Sequence, residues 1–276
     1  MNSQPSTYEH LINTYYPIWK MDSLEEYLRD QLLNGCAFEE LRTKLLILAV
    51  AQEQPRTFVF GDESRPQTSD YKFQAGVPPW KAAAASMCLP PFFQPYRLDN
   101  PPEEMMPRGG EDVVLIDGET RDAFSTDAAE DSGADLIIVS TFYRVMEFTP
   151  ELGHIDDYGI LPVMLQAQAQ GKDARKLNSI QHRERRQQAL RRFRSYLEEH
   201  NPERRDEAME ELERVLEIRE NLDVIEIKAQ DYEHEELTYP YWDPFTVDEE
   251  VLNVLFDIGY DVATRTLENR LAGGPG

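Results

Sequence analysis

Apolar residues along this chain fall into two kinds of run, continuous and helically spaced. Leu45–Val50, Thr57–Phe60, Val113–Ile116 and Leu136–Val139 are short, largely β-branched or aromatic runs of the kind that form buried strands. The segment from Leu222 to Lys228 alternates apolar and polar residues and reads as a last strand. Helical spacing appears first at Leu24, Tyr27, Leu28, Leu32 and Leu33, with Asp22 or Ser23 as the expected cap and Gly35 as the stop. Phe38 to Leu41 reads as one helical turn. Small residues at 82–87 predict a helix that packs closely and ends before Pro90-Pro91.

Further along, residues 158–170 read as a moderately apolar helix. Leu190, Phe193 and Leu197, then Met209, Leu212, Val215 and Leu216, predict two more helices broken at Asn201-Pro202. Asp248 is placed to cap a terminal helix carrying Val251, Leu252, Leu255, Ile258 and Tyr260. Polar loops are expected at 61–76 and 231–246, and the 272–276 tail is expected to be disordered. The strand near 113–117, a helix, and the strand entered through Gly133-Ala134-Asp135 suggest a parallel pair with a right-handed crossover.

One strand stops on a candidate for chemistry. Val113-Val114-Leu115-Ile116 runs into Asp117-Gly118, and carboxyl ends of strands are where open α/β sheets carry their sites. Asp117 is therefore a candidate general base. The plain alternative is that Asp-Gly turns the chain.

The helix before it changes the weighing. Ala82 to Pro95 reads roughly Ala-x-x-(Ala)-Ser-x-x-x-Pro-x-x-Phe-x-Pro, and Asp117-Gly118 follows on the next apolar strand. This order resembles the patatin-like phospholipase family. Phe38, Leu41, Leu45–Val50, Phe58–Phe60, Gly133-Ala134-Asp135 and the late strand and Gly259-Tyr260 helix fall in the places that the family pattern assigns. The resemblance covers residues 20–145 firmly and 220–262 loosely. It implies an α/β fold, a three-layer α/β/α domain with a mostly parallel sheet, incomplete at its N-terminal side. On this reading 1–22 is an irregular leading segment and 23–150 is the core with the Asp-Gly motif. Residues 151–220 are a charged helical insertion, and 221–270 close the domain.

The resemblance also implies chemistry: hydrolysis of lipid acyl esters by a Ser-Asp dyad, without metal or other cofactor. Asp117 would be the base, Gly118 part of its motif, and Ser86, Pro90 and Phe93 supports of the active site. The family's serine lies in Gly-x-Ser-x-Gly at a strand-to-helix elbow. No such segment occurs in this sequence, and its first glycine is Gly35. The serine-bearing portion is therefore expected to be cut off, mis-started or carried by a separate polypeptide, leaving this chain inactive alone. A non-catalytic patatin-like lipid-binding or interaction module is the alternative. Another doubly wound α/β domain, such as a nucleotide-binding one, is a third reading, opposed by the lack of a glycine-rich phosphate loop after the Leu45 strand.

Other residues offer less. Ser64 and Ser125 lack an elbow, and Ser86 in the small-residue helix reads as support. Gly109-Gly110 reads as a turn ahead of the Asp117 strand. His154 near Asp156-Asp157, and His234 between Glu233 and Glu235, do not have metal-site spacing. Glu119 departs from the family's small residue after Asp-Gly and stands to perturb or crowd the base.

Charge narrows the partners. Against 28 Lys and Arg stand 52 Asp and Glu in 276 residues, a net charge of -24. That argues against a general phosphate-backbone binder and against electrostatic docking of the whole surface on anionic lipid, while the family resemblance implies a lipid or acyl-ester substrate. Nine cations between Lys172 and Arg194, followed by an acidic stretch over 198–220, predict oppositely charged helices that answer each other or touch anionic lipid transiently. Two isolated cysteines and an N-terminus without signal-peptide character read as a cytoplasmic protein, peripheral at membranes at most.

Overall fold

The computed structural model describes residues 19–63, 71–107, 112–121, 125–141, 153–216, 222–228 and 248–272. By packing, the chain divides into residues 1–128 and 129–276.

The first unit is built on a five-stranded sheet: β1 (Ile47–Ala51), β2 (Arg56–Phe60), β3 (Tyr71–Gln74), β4 (Tyr96–Leu98) and β5 (Val113–Asp117), in the order β3-β2-β1-β5-β4. β1 lies antiparallel to β2 and to β5, and β4 antiparallel to β5; only β2 and β3 are parallel. This corrects the expected mostly parallel sheet. The cause is loop length: only residues 52–55 separate β1 from β2, enough for a hairpin and far too few for a parallel crossover. β2, β3 and β5 nevertheless point the same way, so their carboxyl ends share one end of the sheet.

Thr57–Phe60 of β2 are buried without interruption because both faces of the sheet are covered. Phe58 and Phe60 face one cluster with Ala49, Ala51, Leu115 and Val113, while Val59 faces another with Tyr71, Phe73 and Ala128. The helix α1 (Asp22–Tyr27), prolonged by a π-helical turn at Leu28–Leu32, contributes Leu24 and the preceding Met21 to the first cluster. Its start is at Met21 with no side-chain cap, so neither Asp22 nor Ser23 serves as expected. Tyr27 and Leu32 stay exposed, and Asn34 and Gly35 end the helix with positive φ. Phe38 is buried at the start of the expected turn, Phe38–Glu40.

The helix α2 (Pro79–Ser86) lies on the same face. Ala82, Ala84 and Ala85 are fully buried there, which is what a run of small side chains permits when a helix approaches a sheet closely. Pro79 stands in its first turn, where a missing N–H costs nothing. Tyr96 on β4 ties the unit together by donating its hydroxyl to Glu25 Oε2 at 2.7 Å. Tyr71–Gln74 is a strand inside the stretch expected to be loop.

The second unit contains β6 (Leu136–Thr141) paired parallel with β7 (Asp223–Lys228) in a separate two-stranded sheet. The expected pairing of β6 beside β5 does not occur, since β5 already has β1 on one edge and β4 on the other. α3 (Thr126–Asp131) spans the boundary between the units, with Gly133 (φ +93) turning the chain into β6. α4 (Ile160–His200) is one uninterrupted 41-residue helix, joining the stretch read at 158–170 to the helix marked by Leu190, Phe193 and Leu197. A 3-10 turn at Pro202–Arg204 then leads into α5 (Arg205–Leu216), which folds back so that Met209 packs on Leu190 and Leu197. α6 (Glu249–Leu271) is capped by Asp248, whose Oδ1 accepts from Glu250 N at 2.9 Å. It seats Ile258 and Val262 against Ile227 of β7, while Leu252 and Tyr260 are exposed. Arg270 near its end pairs with Asp223 at 2.5 Å.

Candidate functional site

Asp117 is the last residue of β5, directly opposite Ala49 of β1. Ala49 in turn stands opposite Phe58. Residues directly opposite in antiparallel strands share a face, so Asp117 is on the side of the sheet covered by α2. Its backbone N–H donates to the carbonyl of Cys88, just past the end of α2, at 3.1 Å. The small-residue helix and the Asp-Gly strand, which the sequence suggested belong together, are thus joined by a hydrogen bond.

The carboxylate is oriented locally. Asp117 Oδ1 accepts from the backbone N–H of Glu119 at 2.8 Å, and the Thr120 hydroxyl donates to the Asp117 carbonyl at 2.7 Å. Asp117 thereby caps the 3-10 turn Gly118–Thr120. Gly118 is buried with backbone crossing β1: a Cβ there would stand 2.6 Å from the Leu48 carbonyl oxygen. Glycine is required here by this close approach. Glu119 and Asp117 are both half-buried.

Cys88 is fully buried and donates its thiol to the Ala84 carbonyl at 3.2 Å. Burial, reinforced by the Asp117 charge, pushes the thiol up to about 12. It is held as a neutral packing group beside the carboxylate. Cys36 is free as well, and half-buried.

Of the other expected site residues, Ser86 closes α2, two residues before Cys88, and is half-buried; Pro90 is half-buried in the following turn. Phe93 packs on the first core cluster and lies 5.7 Å, centroid to centroid, from Trp19. All three therefore belong to the segment that covers β5. His154 is exposed, ahead of Asp156 and Asp157, which are exposed in the turn Ile155–Tyr158. Gly109-Gly110, Ser64 and His234 with Glu233 and Glu235 lie outside the described residues. Ser125 is half-buried with φ +52.

Topology brings one further group to this end of the sheet. β2 ends at Phe60, and Lys44 ahead of β1 pairs with Asp62 at 3.6 Å and with Glu63 at 3.3 Å. The buried Asp62 Oδ1 makes no hydrogen bond. Sequence reasoning missed this trio, because only the β1–β2 hairpin register brings Lys44 and Asp62 together. Among the described residues, no helix is long and apolar enough to cross a membrane. No protein-family model matches the chain, and no significant match is found among curated proteins.

Proposed function

We propose that Asp117 is the general base of a patatin-like lipid acyl hydrolase whose serine nucleophile is carried outside these 276 residues. The supporting observation is the carboxylate held at the carboxyl end of β5 by Glu119 N–H, beneath the residues that follow the small-residue helix. A base of this kind must come within about 2.6–3.2 Å of the proton it takes, which requires such fixed placement. Asp117 would remove the serine proton and return it to the leaving alkoxide as acid. Ser86, Pro90 and Phe93 would support the wall of the site. In this reading the domain is a three-layer α/β/α arrangement that the serine-bearing portion completes, working in the cytoplasm and peripherally at membranes.

A second reading is a non-catalytic patatin-like lipid-binding or interaction module. It is favoured by the capping geometry itself, since a cap gives Asp117 a structural occupation without chemistry. The two readings separate in one experiment. The 276-residue chain should hydrolyse p-nitrophenyl acyl esters no faster than its Asp117→Asn form. The coding sequence immediately upstream should supply a Gly-x-Ser-x-Gly segment, and the joined polypeptide should turn over esters in a manner abolished by Asp117→Asn. A joined polypeptide whose turnover ignores Asp117→Asn overturns the proposal. Hydrolysis by the 276-residue chain alone that Asp117→Asn abolishes would place the nucleophile inside it, with Ser86 the first to replace.

A further inference from the structure

The cations of α4 divide into two populations. On its packed side, Lys172 is buried, Lys176 is ion-paired with Glu226 on β7, and Arg183 is 3.9 Å from Glu130. These answer the acidic groups of their own unit. On the opposite side Arg175, Asn178, His182, Arg185, Ala189, Arg192 and Tyr196 are all exposed. Their spacing alternates three and four residues, so they form one line along the helix, about 30 Å long. No acidic residue falls on that line, and among the described residues no ion pair engages Arg175, Arg185 or Arg192. Arg186 and Phe193 are exposed beside it.

We propose that this stripe docks the protein on a bilayer containing anionic phospholipid. The net charge of -24 does not oppose this, because charges more than about 8 Å from the contact are screened at physiological salt. A straight line of guanidinium groups suits a flat anionic surface. Phe193 and Tyr196, at its C-terminal end, are side chains that settle at the headgroup level. Two other occupants fit less well. A single-stranded polynucleotide would need open ring faces for its bases, whereas Phe193 and Tyr196 stack at 6.5 Å and Tyr196 and His200 at 4.3 Å. A second copy could bring the exposed acids of α6, Glu250, Asp257, Asp261 and Glu268, to this line but would leave Phe193 and Tyr196 without the headgroup layer that suits them; a salt-sensitive dimer in the test below decides against the bilayer. The proposal is independent of the role of Asp117, which lies in the other unit.

Vesicle flotation of the full chain tests it. Phosphatidylcholine vesicles with about 30% phosphatidylglycerol should carry the protein up at about 0.1 M salt, and about 0.5 M salt should release it. Pure phosphatidylcholine should not carry it. Replacing Arg175, Arg185 and Arg192 together by Gln should weaken partition about a hundredfold at unchanged far-ultraviolet circular dichroism. Arg185→Gln alone should weaken it about fivefold and guards against a misfolded triple variant. Asp117→Asn should float as wild type does. Equal flotation on neutral vesicles, or a triple variant that floats undiminished, overturns the proposal. So does a chain that stays off vesicles and instead forms a salt-sensitive dimer or retains a single-stranded oligonucleotide.

Discussion

Gly118 crosses the Leu48 carbonyl so closely that a methyl group in place of its hydrogen would sit 2.6 Å from that oxygen. The obstacle is backbone belonging to β1, held on both sides by β2 and β5, and it cannot rotate away. Gly118→Ala should therefore lower stability by about 2 kcal/mol, as overpacking does. Urea unfolding measures this. A variant as stable as wild type would show that β5 and β1 do not approach as described.

Asp117 and its amide should separate capping from charge. Asparagine keeps an oxygen for the Glu119 N–H, so Asp117→Asn should leave the unfolding midpoint nearly unchanged. Asp117→Ala removes the acceptor and should cost about 1 kcal/mol. Equal loss in both variants would mean that the negative charge, rather than the cap, holds the turn Gly118–Thr120.

Cys88 should make stability fall in alkali. Burial first, then Asp117, raises its folded value to about 12 from the ordinary 9.0. Above pH 9 the unfolded thiol ionises while the folded thiol stays protonated, so the unfolded state binds fewer protons. The contribution is complete below about pH 9 and is lost progressively toward pH 12. Tyr96 is raised in the same direction, by burial and then by Glu25, and adds to the effect. Comparing wild type with Cys88→Ala isolates the thiol: the stability difference between them should shrink from pH 8 to pH 10.5. A thiol reagent at pH 8 should modify Cys36 and spare Cys88 in the folded protein.

The α4–α5 hairpin should depend on Leu190. It is fully buried against Leu197 and Met209, and Leu190→Ala should cost about 3 kcal/mol through the cavity left behind. Exposed Arg185→Ala should change stability by less than about 0.5 kcal/mol. Thermal unfolding followed by circular dichroism distinguishes the two.

Much of this was legible because continuous apolar runs announce strands whatever their partners. Ile47–Ala51, Arg56–Phe60, Val113–Asp117, Leu136–Thr141 and Asp223–Lys228 are strands close to where the pattern put them. Asp117 and Gly118 stood out because a carboxylate and a glycine end such a run. Strand direction was not legible: a period of two says which residues share a face, not which way a neighbour runs. The short turn at 52–55 carried that information for β1 and β2, whereas the expected β5–β6 pair failed because both edges of β5 are taken. Tyr71–Gln74 escaped because four residues are too few for a pattern, and the pairing with β2 that makes them a strand is remote in sequence. The helix over 158–170 continues through Gly171 into the charged stretch, since one glycine costs about 1 kcal/mol in a helix, too little to stop one of 41 residues.

The hairpin at 52–55 also orders events in time. Val50 meets Thr57 after closing a very short loop, whereas Ala49 meets Asp117 only across three intervening strands and a helix. A tenfold longer loop costs roughly 2 kcal/mol more to close before any contact rewards it. The β1–β2 hairpin is thus the early foothold of folding, and β5 is a late arrival onto its free edge. Asp117 reaches its place opposite Ala49 only at that last docking step, so a partly folded chain keeps its aromatic hairpin while the candidate site is still unmade.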